Sequence, residues 1–244
     1  MLNERQKLIL DAKLAKLTNQ HVKVIQILKH VINTDPKISI EELCMLNAAY
    51  KCTVEKERVS KALKYFKERH LAEYDLSDSG SEAEKSPSHL IMLNEIAKVE
   101  QGICDLCHEF IKLITDKLIP NSISNEHKMI CNKFKGDYYC ILLEFTTGKA
   151  HKLNLMEAEM SYIAASFFTT LDEMEHEERF SLNLNYALFC YYELSDPEQA
   201  YMIADTGYYI ALSTMDKLDV ITGNGIGAIA KILKEYMNIW QNQR

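Results

Sequence analysis

Only four prolines occur in the chain, Pro36, Pro87, Pro120 and Pro197, and each stands between stretches whose apolar residues recur with a helical period. Proline removes a backbone donor and clashes with the preceding turn, so confining it to the gaps leaves every periodic stretch free to be a helix. The first two stretches carry Leu10, Leu14 and Leu17, then Val24, Ile25, Leu28 and Val31, and Asn33 to Pro36 turns the chain into a third. One long helix is expected from about Ile38 to Glu73. Further helices are expected over about His89 to Ile119, Asn125 to Thr147, Lys152 to Glu175, Glu177 to Leu194, Pro197 to Met215 and Val220 to Gln241. The pattern predicts an all-α chain of nine helices with short connections. No self-similarity at the period of tetratricopeptide or armadillo repeats is visible, and a stack of antiparallel helix pairs stays open.

Between the third and fourth stretches lies DLSDSGSEAEKSPS, too polar and acidic to pack. It reads as a mobile loop over about 74–88 whose serines, Ser77, Ser79, Ser81 and Ser86, suit an acid-directed kinase. Because a loop of this size joins antiparallel neighbours, it is not read as a boundary, and residues 1–244 are expected to form one domain. A chain of 244 residues is long enough for a full core. The formal charge of -7 argues against a nucleic-acid or membrane-surface binder, whose partners need a basic footprint. Seven cysteines, an odd number dispersed among apolar residues, suit free thiols in a reducing compartment. The start MLNERQKLILDAKLAK is charged throughout, so neither signal nor anchor is expected and a cytoplasmic location is.

The stretch Arg179 to Ala200 combines a packing stripe with a polar intrusion. Leu184, Leu188 and Tyr191 share one side of a helix, and Asp196 with Pro197 supplies the cap and first turn of the next. Asn185 flanks that stripe and on the residue alone reads as a solvated amide, the alternative being that a group outside its own helix uses it. Lys51 and Arg58, seven residues apart, lie on one helix face about 10 Å apart along the axis and can converge on one phosphate or carboxylate. Glu55 stands between them, and spacing alone favours an ordinary surface ion-pair ladder of the three. Lys133 and Asp137 repeat that choice.

Nothing points to catalysis. Cys104, Cys107 and His108 spell the C-x-x-C-H of haem attachment, but on a helix the cysteines share an apolar face with Phe110 and Ile111, and core packing is the simpler reading. No second C-x-x-C completes a zinc site. GNGIGAIAK, residues 223–231, lacks the strand and acidic residue of a dinucleotide fingerprint and reads as a flexible lead into the last helix. No enzyme, metal or cofactor is expected.

Taken together, AKLA (12–15), EELCMLNAAYK (41–51), LIPN with KFKGDYY and TG (118–148), H-x-x-R-x-x-L-x-LN (176–185), YYEL-x-DPEQA (191–200) and a terminal IW (239–240) resemble the 14-3-3 family of phosphoserine/phosphothreonine-binding adaptors. The resemblance covers almost the whole chain. It implies nine antiparallel helices forming one wall of a dimeric cup whose concave groove holds an extended phosphopeptide. By position, Lys51 and Arg58 match phosphate-binding residues, Lys133 a groove lysine, and Asn185 the amide that holds the peptide backbone. Leu184, Leu188, Ile229 and Ile232 match the apolar side of the groove, and Trp240 the tryptophan of the last helix.

The chain departs from that pattern at Cys140 and Ile141, where the family has an Arg-Tyr pair on the phosphate, and at Tyr236, where it has a second backbone-holding Asn. Two lost charge-assisted bonds at about 1.5–3 kcal/mol each weaken phosphate capture by roughly two to four orders of magnitude unless another group, Lys133 being the candidate, substitutes. Leu10, Leu14 and Leu17 keep the stripe that the family buries in its dimer, whereas Gln20 would face Gly102 and Lys23 would face Lys98 across the interface. A homodimer with an altered interface is therefore expected. The chain ends four residues past Trp240, so the family's acidic tail is expected to be absent. The resemblance implies an adaptor for phosphorylated clients with a partly degenerate phosphate site. The alternative is a helical scaffold for unphosphorylated peptides or partner proteins.

Overall fold

Asn3 opens the first helix of the computed structural model with a capping box. Its side chain accepts from the Gln6 backbone N–H at 2.7 Å, and the Gln6 side chain accepts from the Asn3 N–H at 3.0 Å. The structure describes residues 2–78, 87–170, 176–215 and 220–242. The helices are α1 Glu4–Leu17, α2 His21–Thr34, α3 Ile40–Asp78, α4 Pro87–Leu113, α5 Asn125–Leu143, α6 Gly148–Thr169, α7 Glu177–Tyr192, α8 Pro197–Met215 and α9 Val220–Asn242, with a π-helical turn at Ile114–Leu118. Among the described residues there is no strand, and the stretches between the prolines are helical. The chain divides into two compact units, Met1–Leu113 and Ile114–Arg244.

In the first unit, Ser39 and Glu42 form a second capping box at the start of α3, with bonds of 2.9 and 3.2 Å. The buried Glu42 carboxylate also receives a two-pronged Arg5 guanidinium at 3.0 and 2.7 Å, which ties α1 to α3. Tyr50 stacks on Phe110 with ring centres 4.5 Å apart, and its hydroxyl donates to Glu109, which also pairs with Lys29 at 2.9 Å. These contacts join α2, α3 and α4 around Leu28, Leu43, Leu46, Val54 and Ile103. Cys107 is buried in the same core, Cys104 is half-buried and His108 is exposed, so the C-x-x-C-H residues do not face one point.

In the second unit, Ser124 caps α5 by accepting from the His127 N–H at 3.0 Å, and Asp196 caps α8 by accepting from the Gln199 N–H at 2.9 Å. Pairs α5–α6, α7–α8 and α8–α9 pack closely around Phe134, Tyr138, Tyr162, Phe180, Leu182, Phe189 and Leu233. Gly207 allows α8 to approach α7: a Cβ there would lie 2.6 Å from the Cβ of Asn183.

Several boundaries differ from the sequence expectation. The third helix continues through Asp78 and takes up the first part of the expected loop, while residues 79–86 of that loop lie outside the described residues. Gly223, Gly225 and Gly227 do not lead flexibly into α9; they lie inside it. Each costs about 1 kcal/mol of helix propensity relative to alanine, but Ile226, Ala230, Leu233 and Met237 bury a continuous face that outweighs this. On α7 the deeply buried residues are Phe180, Leu182, Tyr186, Ala187, Phe189 and Cys190, and the Leu184, Leu188, Tyr191 stripe is only half-buried. Two apolar stripes run along that helix, and periodicity alone does not say which one meets the core.

Candidate functional site

Asp137 on α5 is the hub of a polar cluster inside the second unit. Its Oδ1 accepts from Asn185 Nδ2 at 2.7 Å and from the Tyr162 hydroxyl at 3.0 Å, and its Oδ2 accepts from Lys133 Nζ at 2.9 Å. The cluster thus gathers α5, α6 and α7 on one carboxylate. Gly136 makes room for it, since a Cβ there would come within 2.9 Å of the Tyr162 ring. Asn185 is therefore not a solvated amide: a group on another helix fixes its orientation, leaving it half-buried beside Leu184 and Leu188.

Lys133 is 1% exposed, and its ammonium lies 2.9 Å from Asp137 and 2.9 Å from Glu178. The i,i+4 pair expected from the sequence is formed, but in the interior and with a third member. Burial pulls the Lys133 pKa down, and the Asp137 and Glu178 charges overcome that and hold it above its ordinary value. One ammonium against two carboxylates leaves a formal negative excess at this point.

Cys140 stands one helical turn beyond Asp137, its sulfur 3.5 Å from the Tyr162 hydroxyl. Burial pushes this thiol up to about 12, opposed by the bond to Tyr162 and reinforced by Asp137, so it presents a neutral group at pH 7. Burial, then Asp137 and Cys140, keep Tyr162 protonated well above its ordinary range. Ile141 is half-buried and offers no donor.

The remaining apolar candidates also lie in the second unit. Trp240 is buried, stacked on Tyr191 at 4.7 Å and 12° and leaning on Tyr236 at 5.6 Å. Ile229 is buried and Ile232 exposed, with Tyr236 half-buried between those extremes. In the first unit, Lys51 and Arg58 are half-buried on α3, and Arg58 donates to Glu55 at 2.9 Å, forming one rung of the expected ladder. On α1, Ala12 and Ala15 are buried while Leu10, Leu14 and Leu17 are exposed. Tyr162 and Glu178 escaped sequence reasoning. Both act across helices distant in the chain, and no local spacing signals such a contact.

Helices that hold a fixed amide among half-buried leucines present a surface suited to gripping a partner. The 14-3-3 family model matches residues 11–241, and the chain belongs to that family. Its members are adaptors without catalytic activity, and this chain is not an enzyme. It is similar to the checkpoint signal transducer rad24 of Schizosaccharomyces pombe, 27% identical over 241 residues, covering 97% of this chain and 84% of the relative. It also resembles 14-3-3 protein 9 of Solanum lycopersicum, 28% identical over 97% of this chain and 88% of the relative. A third relative is 14-3-3 protein epsilon of Drosophila melanogaster, 27% identical over 98% of this chain and 88% of the relative. Among the described residues, no helix is long and apolar enough to cross a membrane.

Proposed function

We propose that the chain is a signalling adaptor that binds phosphoserine or phosphothreonine peptides of client proteins, through a phosphate site that is partly degenerate. Lys51 and Arg58 supply the phosphate-binding cations. Asn185 holds the peptide backbone, and Leu184, Leu188, Ile229, Ile232, Tyr236 and Trp240 form the apolar side of the groove. The observation that carries this reading is the Asp137–Asn185 bond of 2.7 Å: an amide pre-oriented by a buried carboxylate loses little freedom on gripping a peptide. Lys133, which the family resemblance counts among the phosphate-binding cations, is paired with Asp137 and Glu178.

Two features favour a second reading, in which the same groove takes unphosphorylated segments. Cys140 brings no charge where a guanidinium would stand, and Lys133 is already compensated. The two readings separate in one titration of matched phosphorylated and unphosphorylated peptides against wild type, Lys51→Ala and Arg58→Ala. Loss of one charge-assisted contact lowers phosphopeptide affinity about ten- to a hundredfold and leaves the unphosphorylated peptide unchanged. Variants that bind phosphopeptide as wild type does would overturn the phosphate assignment.

A homodimer closed by Leu10, Leu14 and Leu17 belongs to the same proposal, with an altered interface because Lys23 and Lys98 meet as like charges. Lys98 pairs with Glu95 at 2.8 Å within its own chain, which softens that repulsion. The protein is proposed to work in the cytoplasm as one folding domain. Its acidic charge gives neither nucleic acid nor membrane a footprint.

A further inference from the structure

Helix α6 carries its large apolar side chains on the side away from its own core. The face that packs within the second unit is small or polar apart from one ring: Asn154, Ala158, Ser161, Tyr162 and Ala165 are buried. The opposite face bears Leu153, Met156, Met160, Ile163 and Phe167, each between 49% and 59% exposed. Their spacing alternates three and four residues, which places them at successive a and d positions of a heptad repeat. Single exposed hydrophobes need no explanation, but five in one seam present roughly 500 Å² of apolar surface, at the upper end of what a monomer leaves open.

We propose that α6 is a self-association seam, in which the stripes of two copies pair as a short parallel coiled coil. The charges beside the stripe select a second copy and its direction. Lys152 occupies a g position and Glu157 the e position of the next heptad, and parallel pairing sets g of one strand against e of the other. Lys152 of each copy then faces Glu157 of its partner, giving two reciprocal ion pairs. Antiparallel pairing along the whole stripe sets no lysine opposite a carboxylate. Glu157 touches Lys135 through Oε2 at 3.2 Å, and its other oxygen is the acceptor for the new pair. The seam buries roughly 1,000 Å² over both copies, the threshold of a specific interface before flanking contacts are counted.

This seam is separate from α1. A chain with two self-complementary faces builds assemblies larger than a dimer, and a chain with the α6 seam alone builds a dimer. The test is solution mass by light scattering at tens of micromolar. Met160→Glu places a charge in the centre of an already exposed stripe, so the helix content seen by circular dichroism stays at the wild-type level while the mass falls by about half. Equal masses for Met160→Glu and wild type overturn the seam. Independently of that variant, Met156→Cys in a Cys52→Ser background puts one d-position thiol opposite its counterpart. Mild oxidation is expected to give a covalent dimer of the full chain, and its absence overturns the parallel register.

Discussion

Asn185 shows what a residue reveals before its neighbours are known. A mid-helix amide beside leucines announced two outcomes, and the 2.7 Å bond to Asp137 selects the one in which another helix uses it. The Lys133–Asp137 spacing was equally legible, but its burial and the approach of Glu178 were not, because these depend on α5 meeting α7. That geometry makes two predictions. Asp137→Asn keeps the shape but removes the carboxylate on which three donors converge, leaving Lys133 with one charged partner; a loss of about 3 kcal/mol is expected in urea unfolding. Glu178→Gln removes the negative excess around Lys133, and affinity for a phosphopeptide is expected to rise by about three- to tenfold, with the unphosphorylated peptide unaffected.

Element by element, periodicity and proline placement located all the helices and misjudged mainly their ends and faces. The glycines of α9 looked like a flexible segment because local propensity is all that a short window contains, whereas the buried side of α9 is fixed by residues on both sides of them. On α7 the stripe that looked like core is the half-exposed one, because the other stripe meets the neighbouring helices. Helical glycines give a paired test. Gly207→Ala meets the Asn183 Cβ at 2.6 Å, where nothing flexible can yield, and is expected to cost about 1–3 kcal/mol by thermal or urea unfolding. Gly102→Ala meets nothing within 4 Å inside α4 and is expected to stabilise by up to about 1 kcal/mol.

For the whole molecule, acidic charge, dispersed thiols and nine periodic stretches excluded more than they specified. The family resemblance, spread over motifs that no single physical rule explains, carried the candidate site residues. Buried acids set the pH behaviour. Burial raises the Cys140 and Cys190 thiols from 9.0 to about 12 and Tyr186 from 10.0 to about 12; Asp196 adds to it at Cys190, Cys190 at Tyr186, and at Cys140 the bond to Tyr162 opposes it before Asp137 reinforces it. Groups whose folded pKa is raised contribute stability that is intact below the unfolded value and lost as pH rises through the folded one. The unfolding midpoint is therefore expected to hold up to about pH 9 and to fall between pH 9 and 12, as Lys133 with its raised pKa also requires. Phosphate reading by Lys51 and Arg58, as proposed above, is decided by calorimetric titration of the wild-type protein with one serine peptide in its phosphorylated and unphosphorylated forms. Tighter binding of the phosphorylated form, weakening as salt is raised, is expected; equal affinity for the two forms would rule out phosphate reading.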